Sequence, residues 1–233
     1  MNDEIKSVLL EHGADIIRFV DISSFPRGQT LGYEKAIIFC MVLSRQYLVD
    51  FLNGKPINFD NDEYLIKERR VEELADWLAK YIHHKGFQAH SQSEESNLKN
   101  GYIEQAYIDP ELRQGISILP QKAIARAGGL GFIGKSNLLV TEEFGSALTM
   151  CSVLTDAPVL TESNPIIESK CKSCIVCVES CSANALLGNE WSGSRETIVD
   201  VSKCCCALMC MVFCPWTKAY ANGNAELSGK SYA

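Results

Sequence analysis

Positive charge is scarce in this 233-residue chain: 22 Lys and Arg stand against 29 Asp and Glu, a formal charge of −7. That balance argues against nucleic acid as a partner, because phosphate backbones are gripped by Lys and Arg. Long apolar runs are missing too. No stretch reaches the roughly 18 apolar residues of a membrane span, and the opening MNDEIKSVLLEHGAD has charges where a signal peptide needs its apolar core. A cytoplasmic, reducing setting without a membrane partner is therefore expected. Proline is sparse at 7 residues, and 46% hydrophobic beside 22% charged residues argues against a disordered or collagen-like chain. The length suits one large domain, or a medium one with a small one.

Cysteine, by contrast, is abundant. Of 11 cysteines, Cys40 and Cys151 stand alone and the rest fall between Cys171 and Cys214. In a reducing compartment such clustered thiols serve as metal ligands or redox groups rather than as structural disulfides. Cys171, Cys174, Cys177 and Cys181 have the spacing C-x2-C-x2-C-x3-C, the bacterial ferredoxin run for a [4Fe-4S] cluster, whose fourth Cys ligates the neighbouring cluster in two-cluster proteins. Cys210-x3-Cys214-Pro215 repeats the end of that run, but the register places Ala207 where a ligand belongs. The reading is two [4Fe-4S] clusters, with Cys171, Cys174, Cys177 and Cys214 on one and Cys181, Cys204, Cys206 and Cys210 on the other. The choice among Cys204, Cys205 and Cys206 stays open at this point. Structural zinc and a redox dithiol are the rival readings, but zinc ribbons use two separated C-x2-C pairs and need no third Cys at the same interval. Ser182 follows Cys181 where ferredoxins usually carry Pro.

Before this segment the chain reads as α+β. Residues 1–13 predict a short amphipathic helix with Ile5, Leu9 and Leu10 on one side and Gly13 as its stop. Strands are predicted at 16–22 and at 36–43, the latter apolar throughout as in a sheet buried on both faces, with Cys40 as a small buried hydrophobe. A long helix over 60–85 buries Val71, Leu74, Ala75, Leu78 and Ile82. His83 and His84 lie in its last turn, where they suit the helix dipole, and His90 is read as ordinary. Residues 91–100 read as an exposed loop, and 120–127 as a helix. Strands are expected at 137–141 and 147–154 around a turn at 142–145. A linker at 161–165 sets one boundary near residue 160, giving an α+β domain over 1–160 and a cysteine-rich domain over 161–233.

GLGFIGKS at 129–136 satisfies both the phosphate-loop and the dinucleotide patterns. Each needs a strand before it and a helix after it, so that a helix N-terminus meets the phosphates. Here a helical segment precedes and the apolar NLLVT follows, so a nucleotide loop is not expected. Close approach of backbone to another cofactor, and plain tight packing, remain as readings of the glycines.

The run PQKAIARAGGLGFIGKSNLLVTEEFGSALTMCSVLTDAP, then CKSCIVCVESCSANALLGNEW and CMVFCPW, resembles the epoxyqueuosine reductase and reductive dehalogenase group of iron-sulfur proteins, in particular its short members. The likeness extends upstream to AIIFCMVLSRQYLVDF and ERRVEELADWLAKYIHHKGFQA. It implies a nitroreductase-like α+β body followed by a ferredoxin-like module with two [4Fe-4S] clusters. In the larger relatives such clusters feed a cobalamin in the body, and by that analogy Gly129, Gly131, Gly134 and Lys135 lie beside a corrinoid. The group's acidic proton donor, three positions before a proline, maps to Ser117 if Pro120 is that proline, with Asp109 or Glu111 as replacements. The chain is also shorter than those enzymes and has no appended repeat region to grip a tRNA. The expectation is a cytoplasmic redox protein that passes electrons from a low-potential donor or redox partner protein through its clusters to a cofactor or substrate. An epoxyqueuosine reductase-type oxidoreductase is one alternative. A ferredoxin-like electron carrier or maturation partner without a small cofactor is the other.

Overall fold

In the computed structural model, residues 1–55, 58–102, 119–193 and 195–223 are described. The chain forms two compact units, each discontinuous in sequence. One comprises Met1–Met41, Glu63–Gly128 and Thr149–Pro165; the other comprises Val42–Asp62, Gly129–Leu148 and Ile166–Ala233. The single boundary expected near residue 160 therefore gives way to several crossings. The cysteine segment shares its unit with two stretches assigned by sequence to the preceding domain.

The first unit is built on a four-stranded sheet of order β1-β2-β6-β3, with β1 at Ile16–Asp21, β2 at Lys35–Val42, β3 at Ala89–Ser91 and β6 at Leu148–Thr155. β1 runs antiparallel to β2 with Ile16 opposite Cys40 and Asp21 opposite Lys35, and β3 runs antiparallel to β6. From Ala36 on, every residue of β2 is buried, as a run without polar alternation requires. Against the sheet's apolar side chains pack α1 (Asn2–Glu11) and α3 (Glu63–His84), which contribute Ile5, Leu9, Val71, Leu74, Leu78 and Ile82 to one core. Leu10, expected inside with Leu9, is 48% exposed, because one residue is 100° round a helix and leaves the i, i+4 face. Cys40 and Cys151 are fully buried, and desolvation lifts the Cys40 thiol to about 12.

The stretch at 91–100 is not an exposed loop. It contains the end of β3 and α4 (Glu94–Lys99), and Ser91, Gln92, Ser93 and Asn97 are buried. Ser93 caps α4 by accepting from the Ser96 N–H and donates to Asp76 at 2.7 Å. Ser152 lies within 2.6 Å of the side-chain oxygens of both Gln92 and Gln121. Polar residues are tolerated in this interior because each has such partners. His90 contacts Asn97 at 2.9 Å, and His83 and His84 each reach a backbone carbonyl. α5 (Gln121–Ala127) closes the unit, and Gly128 is required at its end, where a Cβ would stand 2.7 Å from Val20.

Among the described residues no helix is long and apolar enough to cross a membrane.

Candidate metal centre

The second unit places the cysteines. Its glycine loop is a hairpin: β4 (Phe132–Ile133) pairs antiparallel with β5 (Leu139–Val140), and Gly134–Asn137 makes the turn, with Asn137 donating to the Gly134 carbonyl at 2.9 Å. Asn137 takes the left-handed conformation, φ 62°, which Asn tolerates better than most residues. No helix follows the lysine, so the loop lacks the amide-bearing helix N-terminus of a phosphate site. Gly131 is fixed by packing, since a Cβ there would lie 2.2 Å from the Val140 carbonyl oxygen. Gly134 faces Cys171, whose Sγ would be 3.4 Å from an added Cβ. Gly129 adopts φ 67°.

A second hairpin element seats α8 (Pro215–Ala221). Gly145, at φ 58°, leaves space that Thr217 fills, for a Cβ would come within 2.3 Å of the Thr217 N, and the Ser146 N–H donates to the Thr217 hydroxyl at 3.0 Å. α2 (Arg45–Leu52) packs on α8 as well, with the Tyr220 hydroxyl donating to the Leu43 carbonyl at 3.0 Å. Cys214 is thereby held at the N-cap of α8, where the backbone amides of Thr217 and Trp216 oppose the rise that burial imposes on its thiol.

Cys171, Cys174, Cys177 and Cys214 line one recess with about 400 Å³ of empty space, part of it open to solvent, together with Lys135, Lys170 and Trp216. Three of the thiols come from the turn that precedes and enters α6 (Val176–Glu179), the fourth from the N-cap of α8, 37 residues after Cys177. Phe132 and Val140 back the recess in one apolar cluster with Cys214 and Trp216, the Phe132 and Trp216 rings meeting edge to face at 5.9 Å. Burial dominates the acidity of these thiols. It pushes Cys177 to about 12 and Cys214 to about 11, and raises Cys171 against the opposing hydrogen bonds from the Lys135 N–H and Ser169. A buried thiol stays protonated until a metal displaces the proton.

Cys181, Cys204 and Cys210 gather in a second apolar cluster with Cys177, Ala185, Leu186 and Val199. Cys210, at α7 (Met209–Val212), is raised to about 11, first by burial and then by the neighbouring Cys204 and Cys181. Cys181 accepts from the Ala185 N–H at 3.4 Å. The C-C-C-A-L turn is wound through two left-handed residues, Cys206 at φ 53° and Leu208 at φ 56°, and both Cys205 and Cys206 are exposed. Three of the four cysteines read as the second set thus converge, and Cys206 sits on the solvent side of the turn. Among the described residues, no three His, Cys, Asp or Glu side chains are arranged to hold a single metal ion. Ser117, Asp109 and Glu111 lie outside the described residues.

Sequence reading missed the contribution of the hairpin turn to this centre. The placement of Lys135 beside Cys171 carries no spacing signal, since the two are 36 positions apart; the Trp216 that follows Cys214-Pro215 is the one local hint of an aromatic wall.

No family model matches the chain. Among curated proteins, an epoxyqueuosine reductase of Staphylococcus aureus is 28% identical over 99 residues, 42% of this chain and 26% of that protein. The solved epoxyqueuosine reductase from Streptococcus thermophilus superposes with a TM-score of 0.54 at 15% identity, covering 94% of this chain and 66% of that one. A reductive dehalogenase structure, described as suggesting a mechanism for B12-dependent dehalogenation, superposes with a TM-score of 0.64 at 18% identity, covering 96% of this chain and 33% of that one. The matched stretch is thus about a quarter of the curated relative's length. The structural likeness concerns the fold, which these proteins share with the chain over nearly all of its length. Sequence motifs, curated relatives and solved folds converge on one resemblance, to the epoxyqueuosine reductase and reductive dehalogenase group.

Proposed function

We propose that the chain is a redox protein that carries two [4Fe-4S] clusters in a ferredoxin-like module and passes electrons to a cofactor or substrate at its α+β unit. The observation that carries this reading is the recess in which Cys171, Cys174, Cys177 and Cys214 meet from two distant segments. A cubane needs four thiolates spread around a volume rather than around a point, and its potential depends on burial and on hydrogen bonds to sulfur. The recess fits: its thiols are half-buried or buried, and the backbone N–H groups of Lys135, Thr217 and Trp216 lower the Cys171 and Cys214 thiols against the effect of burial. In the second set Cys181, Cys204 and Cys210 gather in one cluster, and Cys206, exposed two residues after Cys204, is proposed as the fourth ligand.

A bound [4Fe-4S] cluster supplies one-electron transfer without a proton. The chain's own residues do the rest. Thiolates bind, the Cys214 cap amides stabilise negative charge on sulfur, and Phe132, Val140 and Trp216 exclude water from one side. The donor would be a low-potential carrier or redox partner protein in the cytoplasm. Cobalamin as the acceptor stands on likeness to the B12-dependent dehalogenase, because Gly131 and Gly134 are taken up by packing inside their own unit. Epoxyqueuosine reduction is the second reading, favoured by the curated relative of that name.

Anaerobic purification with iron, sulfide, zinc and cobalt measured on one sample tests this. About eight irons per chain and no stoichiometric zinc are expected. Stoichiometric zinc with no iron would sink the proposal. About four irons would leave the recess cluster and remove the second, and cobalt decides the corrinoid separately.

A further inference from the structure

We propose that Lys135, and the hairpin turn that carries it, raise the reduction potential of the cluster held by Cys171, Cys174, Cys177 and Cys214. This inference rests on the iron-sulfur reading above and assigns a task to the one strong motif that reading left without a role.

Lys135 is 7% exposed and lines the recess with the four thiols. Its ammonium donates to the Lys172 carbonyl, next to Cys171, and its backbone N–H opposes the rise that burial imposes on the Cys171 thiol. Lys172 is itself in the left-handed region, φ 45°, immediately after the first ligand, so the amine clasps the ligand loop at its most strained point. Among the described residues the carboxylate paired with it is Glu190, 4.0 Å away with its side chain 47% exposed. That is weak compensation for an ammonium so far out of water. Four thiolates around a cubane give the group a net negative charge, and the recess therefore supplies the missing counter-charge. Lys170 also lines the recess, but it is bonded to Glu142, 42% exposed and 5.7 Å from the centroid of the Trp216 ring, so its charge is largely answered elsewhere. Gly134 permits the arrangement: a Cβ would lie 3.0 Å from Val140 and 3.4 Å from the Cys171 sulfur, so a larger residue would push the turn off the ligand.

Reduction adds one electron to the cluster, with no bond made or broken and no proton taken up. A buried cation and a backbone N–H dipole acting on sulfur both favour the more negative product, and removing either should make the cluster harder to reduce. The G-K-S that imitates a phosphate loop is thus an outer support for an anionic cluster.

The test uses the full chain, loaded with iron and sulfide anaerobically, as parent, Lys135→Met and Lys135→Arg. Cluster midpoints are followed by EPR during titration with dithionite. Lys135→Met is expected to make one of the two clusters about tenfold harder to reduce, about 59 mV for one electron, with iron content unchanged and the other midpoint unmoved. Lys135→Arg should stay within about threefold of the parent, because it retains the charge. Gly134→Ala keeps the charge but displaces the N–H, and should shift the same midpoint in the same direction by less. Normal iron with unmoved midpoints in Lys135→Met overturns the inference. If that variant does not load, an unmoved midpoint in Gly134→Ala does so instead. Saturable Mg-ATP binding by the parent, lost in Lys135→Met, also overturns it. A parent that binds no iron overturns the reading beneath it.

Discussion

Cys177 belongs to both gatherings of thiols: it lines the recess with Cys171, Cys174 and Cys214, and it shares an apolar cluster with Cys181, Cys204 and Cys210. Such convergence was legible because x2 intervals put successive thiols on one tight turn. What spacing could not settle was the Cys204, Cys205 and Cys206 triplet, where Ala207 breaks the register and adjacent residues point in different directions. Burial sets only Cys204 apart, since it packs with Cys181 and Cys210 whereas Cys205 and Cys206 are both exposed, and the assignment of Cys206 rather than Cys205 is a proposal. Cys174→Ser is expected to cost one cluster, lowering iron from about eight to about four per chain, and to lower thermal stability, since ligand binding contributes to folding. Cys205→Ser should leave iron within about one atom of the parent. Equal iron loss in both variants would refute the division of labour.

At the level of elements, long periodic segments were read correctly and short polar ones were not. α3 declares itself by its 3, 4, 7 apolar spacing, and β2 by an unbroken apolar run. α4 and β3 hide in SQSEESNLKN because their burial is made tolerable by long-range partners, such as Asp76 for Ser93 and Ser152 for Gln92. β4 hides inside the glycine loop for a related reason, two strand residues being too few to show alternation. The α3–α4 junction also gathers like charges. Glu72 is half-buried and lifted to about 7, first by desolvation and then by Glu94, Glu68 and Asp76, against the Glu94 N–H that donates to it at 3.2 Å. A carboxyl raised in the folded state adds stability below its unfolded value near 4.5 and loses it as pH rises through about 7. Glu72→Gln removes that charge and can still accept from Glu94. At pH 8 it should be more stable than the parent by about 1 kcal/mol, a figure reduced for partial exposure, and at pH 4 the two should coincide. Urea unfolding at both pH values checks this; a variant equally or less stable at pH 8 would show that the carboxylate is well accommodated.

The molecule as a whole was least legible, because composition changes once along the chain while the fold divides it several times. Nothing in GGLGFIGKSNLLV announces that it packs with cysteines beyond residue 170; only the glycines' missing side chains, facing Val140 and Cys171, reveal it. A 161–233 fragment, the domain suggested by the linker, would lack the Phe132 and Val140 wall, the Gly145 seat of α8, the Leu43 carbonyl that holds Tyr220 and the Lys135 amide on Cys171. Phe132 and Val140 are each buried to within about 1% of completely, and side chains of this kind contribute about 1.5–3 kcal/mol apiece on burial. Without them Trp216 and Cys214 face water, and the fourth ligand of the recess is no longer fixed. The fragment should therefore retain less than about half the iron of the full chain after identical anaerobic loading, with the recess cluster lost first, because ligand fixation and folding are coupled. Iron analysis and EPR of both proteins decide it. A fragment that loads both clusters with the parent's spectrum would show that the cysteine segment is self-sufficient and that the glycine hairpin is dispensable to it.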